Sequence, residues 1–141
     1  MIPAKKRELE RAFRKHMHAF RSVTGSHVNF SYKLLLFYAI ECGLKVLLLK
    51  EIDKNSTEDI LKHGILGEKL KGANGHNIKY MLSYLNCGQF VLPHLECKNQ
   101  SQASPRDYNQ VWRYGIEVEP DKEGAIIAEL KKIAEWIEGR I

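Results

Sequence analysis

The sequence predicts an all-α domain, an up-and-down bundle of four main helices with a short inserted helix. Three observations carry that expectation. Apolar residues recur at helical spacing in four stretches, and no segment sustains the period-two alternation of a half-buried strand. The third is bulk: 141 residues, 44% hydrophobic and 28% charged, hold enough apolar material for one packed domain spanning 1–141.

The first helix is expected over 3–23, with Pro3 suited to its first turn and Gly25 to its end. At about 100° per residue, Leu9, Phe13, Met17 and Phe20 fall on one side. Arg7, Arg11, Arg14, His18 and Arg21 step along the other. Residues 1–21 alone carry a surplus of five positive charges, equal to the net +5 of the whole chain. A polyanion such as RNA, or an acidic protein partner, is therefore expected at this helix first; a solvated face is the plainer alternative.

The second helix, 27–50, is apolar in nearly every direction, so it belongs at the centre of the bundle. Its 20-residue apolar run approaches the length of a membrane span. Lys33, Glu41 and Lys45 interrupt it, each costly in lipid, which points to a buried helix of a cytoplasmic protein without membrane contact. Glu41 and Lys45 stand one turn apart as a buried polar pair, either a simple intrahelical ion pair or part of a polar groove at a dimer seam.

Residues 51–74 are read as an insertion holding a short helix capped at Ser56 and closed near Gly64. The next helix is expected over 76–86, with Ile78, Met81, Leu82 and Leu85 on its core side and His76 at its start as a cap or flank. A loop with an arginine-rich aromatic segment, Arg106 to Tyr114, fills 87–119. The closing helix runs over 120–141, with Ile126, Ile127, Leu130, Ile133 and Ile137 as its stripe. Cys42, Cys87 and Cys97 form no close pair, and no His and carboxylate set has metal-ligand spacing, so neither a metal nor another cofactor is expected.

Four segments together resemble the HEPN family (higher eukaryote and prokaryote nucleotide-binding domain). Phe37 to Leu49 resembles its second helix, and Gly75-His76-Asn77-Ile78 resembles the Gly-His-Asp-Leu start of its third. Trp112-Arg113-Tyr114 with the acidic, Pro-containing turn after it resembles the family's Arg-Tyr-Pro-type segment, and 120–141 resembles the closing helix. The likeness spans about residues 5–139. It implies a helical bundle, dimeric or held by a larger protein, in a prokaryotic antiviral defence or toxin–antitoxin system. A binding or assembly subunit contacting RNA, a nucleotide or an effector protein is the first expectation from it. A divergent metal-independent endoribonuclease and a purely structural oligomerisation subunit are the alternatives.

Active members of that family carry an Arg followed four to six residues later by a His, near the loop before the last helix. Arg106 and Arg113 lie there, but no His follows His94. Ribonuclease chemistry without metal needs a base for the 2′-hydroxyl proton and a cation for the phosphorane's charge. Arg106 or Arg113 supplies the cation, so the base would have to come from elsewhere, His27 or His94 being the candidates. Matches to the spacing at Arg11 with His16, and at Arg21 with His27, are of the kind that chance produces in this composition. For binding alone, Arg106, Tyr108, Arg113 and Tyr114 offer guanidinium forks and flat rings to phosphates and bases.

Overall fold

A 22-residue helix with no polar face sets the architecture. The computed structural model describes residues 2–23 and 29–141. Within it α2, Phe30–Glu51, buries Leu36, Phe37, Ile40, Leu44, Leu47 and Leu48 around its whole circumference. Asn29 caps it, its side chain accepting from the Ser31 and Tyr32 amides at 3.0 and 3.4 Å. Seven α-helices are present among the described residues, with one antiparallel pair of two-residue strands, so the fold is helical as the sequence predicts.

Around α2 lie α1 (Lys6–Arg21) and α7 (Pro120–Glu138), and the shorter α5 (Ile78–Tyr84) and α6 (Tyr108–Arg113). The stripe of α1 is as expected: Leu9, Phe13, Met17 and Phe20 are buried, and Arg7, Arg11, Arg14, His18 and Arg21 are exposed. Close approach on this side depends on Gly43. A Cβ there would stand 2.7 Å from Ile137 Cγ2 of α7 and 3.0 Å from Phe13 Cδ1 of α1. At the other end of α2, Glu123 in the first turn of α7 accepts from Lys33 Nζ at 2.5 Å and from Trp112 Nε1 at 3.0 Å, tying three helices together.

The middle of the chain departs from the expected outline. The insertion holds two short helices, α3 (Thr57–Lys62) and α4 (Gly64–Leu70), followed by a 3-10 turn, Gly72–His76. Its start is pinned to the N-terminus, where the Ala4 amide donates to Thr57 Oγ1 at 3.0 Å. The next helix, α5, spans seven residues, well short of 76–86. Asn86, at φ 60°, takes the left-handed conformation that closes helices. Strands β1 (Leu95–Glu96) and β2 (Gln102–Ala103) pair Leu95 with Ala103 before a 3-10 turn, Pro105–Asp107, leads into α6. Among the described residues no helix is long and apolar enough to cross a membrane.

The Gly43 contact gives a direct expectation. Gly43→Val forces Ile137 and Phe13 aside and lowers stability by about 2 kcal/mol. Gly124→Ala, where nothing lies within 4 Å of the added methyl, raises it by about 0.5–1 kcal/mol through helix propensity. Thermal unfolding of the two variants beside the parent checks both signs.

Candidate functional site

The candidate site grows from one buried charge. Glu41 sits on α2 and is 9% exposed. Two groups answer it: Lys45 Nζ donates to Oε2 at 3.0 Å, one turn along the helix, and His76 Nδ1 stands 2.6 Å from Oε1. Burial alone would raise the Glu41 pKa. The hydrogen bond with His76 and the charge of Lys45 outweigh it and hold the carboxyl below its ordinary value. An ionised carboxylate can only accept, so the Nδ1 proton of His76 lies on the Glu41 side. In the neutral ring Nε2 then carries the lone pair. The neighbouring Cys42 thiol is pushed up to about 11 by burial and by the Glu41 charge, which keeps it protonated and unreactive.

Backbone geometry delivers His76 to this position. The 3-10 turn opens at Gly72, at φ 59°, and closes at His76. Asn77 then starts α5, its side chain accepting from the Tyr80 amide at 3.1 Å. His76 therefore does flank a helix start, while its ring serves Glu41. The turn is held from the far side too, because Arg106 Nη1 donates to Asn74 Oδ1 at 2.9 Å.

Arg113, at the end of α6, reaches the same place through Tyr38. Its Nη2 donates to the Tyr38 hydroxyl at 2.5 Å, and the Tyr38 ring lies 6.5 Å from the His76 ring, centre to centre. That hydrogen bond raises the Arg113 pKa still further, so the guanidinium is a fixed cation. One connected cluster thus joins Lys45, Glu41, His76, Tyr38 and Arg113, with Arg106 bracing the turn beside it. Asn109, one turn before Arg113, is 1% exposed, and its Oδ1 has no hydrogen-bond partner among the described residues.

Several expected positions fall elsewhere. Tyr108 is not a surface ligand: it is fully buried, its hydroxyl donates to the Pro93 carbonyl, and its ring packs against Phe37 and Trp112. It and Trp112 occupy the core side of α6, which leaves Tyr114, 66% exposed, as the free aromatic of that segment. His94 is exposed beside the strand pair, with Nδ1 3.3 Å from Gln102 Oε1, and makes no bond to Arg106 or Arg113. His27 lies outside the described residues. His16 is half-buried, and burial lowers its pKa, as a structural histidine requires.

The basic stripe of α1 is not part of this cluster. Gly43 faces Phe13 and Ile137, whereas Glu41, two residues earlier, is turned about 200° away from it around the helix axis. Arg14 is paired with Glu10 at 3.1 Å, and Arg21 with Glu138. The two cationic regions of the sequence therefore lie on opposite sides of α2. Among the described residues, no three metal-ligating side chains converge. No protein-family model, curated protein or solved structure matches the chain.

The depressed Glu41 pKa has a stability consequence of definite sign. A carboxylate lowered on folding contributes stability above its unfolded value, near 4.3, and loses it as pH falls through the folded value. Parent protein is expected to exceed Glu41→Gln by about 1–3 kcal/mol at neutral pH. The gap should close steadily below about pH 4.5 as Glu41 protonates in the parent. Urea unfolding of both proteins in steps down to about pH 3 measures it.

Proposed function

We propose that this chain is a HEPN-like domain that binds RNA through phosphate contacts at the cluster around Tyr38. The observation that carries this reading is the convergence of Arg113 and Arg106 on a polar centre built from α2, the 3-10 turn and α6. Arginine forks match phosphate oxygens, and an exposed Tyr114 beside Arg113 offers a face on which a base can stack. The segments that resemble the family bear on the same place. The aromatic-Ala stretch supplies Tyr38 and Glu41, the Gly-His-Asn-Ile segment supplies His76, and Trp112-Arg113-Tyr114 supplies the cation. On this reading the chain serves a cytoplasmic defence or toxin–antitoxin assembly, as a dimer or beside a larger protein.

A second reading, metal-independent endoribonuclease, is favoured by one specific observation: Glu41 orients His76 so that Nε2 is available as a base. The sequence lacks a histidine at the family's usual position, and His76 fills that role from another element. In this chemistry Nε2 takes the proton of a 2′-hydroxyl, and the 2′-oxygen bonds to the adjacent phosphorus. The bond to the 5′-oxygen breaks, that oxygen takes a proton from water as it leaves, and a cyclic phosphate remains. Arg113 balances the charge that builds on the phosphorane oxygens.

One assay separates the readings. Purified protein is mixed with single-stranded RNA in EDTA, beside Arg106→Ala, Arg113→Ala, His76→Ala and His94→Ala. Binding predicts retention that weakens with salt and falls about tenfold in Arg113→Ala. Retention indifferent to Arg113→Ala and Arg106→Ala would sink the site. Cleavage lost in His76→Ala but kept in His94→Ala establishes the second reading, and absence of cleavage removes it.

A further inference from the structure

We propose that the cleft between α1 and α7, on the other side of α2, is a phosphate site whose place is held in the free protein by Glu138. The cleft has a volume of about 230 Å³ and is lined by Phe13, Arg14, Met17, His18, Arg21 and Glu138. At about 30 Å³ per water molecule, that is room for a tetrahedral oxyanion with part of its hydration.

The sequence puts three basic side chains there by spacing alone: Arg14, His18 and Arg21 follow at four and three residues, one above the other on α1. Beneath them Phe13 and Met17, 1% and 4% exposed, form an apolar floor. Such a floor excludes water from one side of an anion and strengthens its attraction to the cations above.

Glu138 is the telling residue. Its carboxylate contacts the Arg21 guanidinium, so its oxygens mark where an incoming oxyanion would bond. It occupies the last turn of α7, where the helix dipole disfavours negative charge, and that turn contains no basic residue. Glu135, close by, adds further negative charge. Both partners of the ion pair are well exposed, 49% for Arg21 and 35% for Glu138, and exposed pairs of this kind contribute little. A phosphate brings more charge and more acceptor oxygens than the carboxylate, and can share them with His18 and Arg14. Arg14 is 58% exposed and, among the described residues, is bonded only along its own helix, to Glu10. Loss of the Glu138 contact to an incoming phosphate on Arg21 therefore costs little.

The test uses the full chain and three probes: inorganic phosphate, a short RNA with a 5′-phosphate and the same RNA with a 5′-hydroxyl. Binding is followed by the amide resonances of residues 14–21, which report on α1 and not on the Tyr38 cluster across α2. Failure at one site therefore leaves the other measurable. Inorganic phosphate should shift these resonances saturably, and Arg21→Ala should weaken it about tenfold. His18→Ala should weaken it less, while Glu138→Gln, which removes the competitor, should tighten it severalfold. Preference for the 5′-phosphorylated RNA would identify a terminal phosphate as the ligand, and equal binding of both RNAs the internal backbone. No tightening in Glu138→Gln, or undiminished affinity in folded Arg21→Ala, overturns the proposal.

Discussion

A helix that is apolar on every side offers no face to water, and the rest of this molecule is arranged to cover α2 along its length, leaving its ends, at Phe30, Ser31, Lys50 and Glu51, exposed. Its N-terminal end is tied by Lys33 to Glu123 of α7, and its midsection is covered by α1 and α7 on one flank and by α5 and α6 on another. Gly43 allows the first flank to close to van der Waals distance. Burial on this scale, not local propensity, stabilises the shorter helices, since α3 to α6 have only six or seven residues each and would not persist alone.

Set against that constraint, Glu41 is expensive. A carboxylate in the middle of such a helix needs partners, and it has two, one from its own helix and one from a turn 35 residues further along the chain. Stability does not account for it, because apolar side chains of similar volume commonly serve as well as a buried ion pair or better. What the charge does achieve is orientation. It fixes a histidine ring beside Tyr38 and Arg113, at a point where α2, the 3-10 turn and α6 meet. A polar cluster retained at the centre of an otherwise apolar contact is the arrangement expected of a binding or reacting site.

The long elements were legible in the sequence for a simple reason. In α1 and α7 the apolar stripe repeats over about three turns, and in α2 the absence of any polar side is itself a signal. The arginines of α1 point outward as their spacing indicated. Short elements carried too little periodicity: α6 has one turn and a half, and its Tyr108 read as a surface aromatic although it is core. The strand pair, two residues a side, is below the length at which alternation can be seen. Glu41 and Lys45 were visible as a pair because they are neighbours on one helix. His76 was visible only as the start of the next helix, since no local pattern records which side chain lies across the fold.

The same distinction between local and distant partners governs the chain's positive charge. A surplus of five over residues 1–21 suggests one broad cationic surface, yet two of its arginines are answered by carboxylates. Glu10 answers Arg14 from the same helix, whereas Glu138 answers Arg21 from the far end of the sequence. Neither pair is buried, and the hydrogen bond from Arg113 to Tyr38 lies at the surface as well. One side of α2 therefore carries cations in exposed ion pairs, and the other carries an exposed cation beside the buried Glu41 and its two partners. A single extended anion would have to wrap the domain to use both. The two proposed sites are therefore separate, each set of side chains being held on its own side of α2.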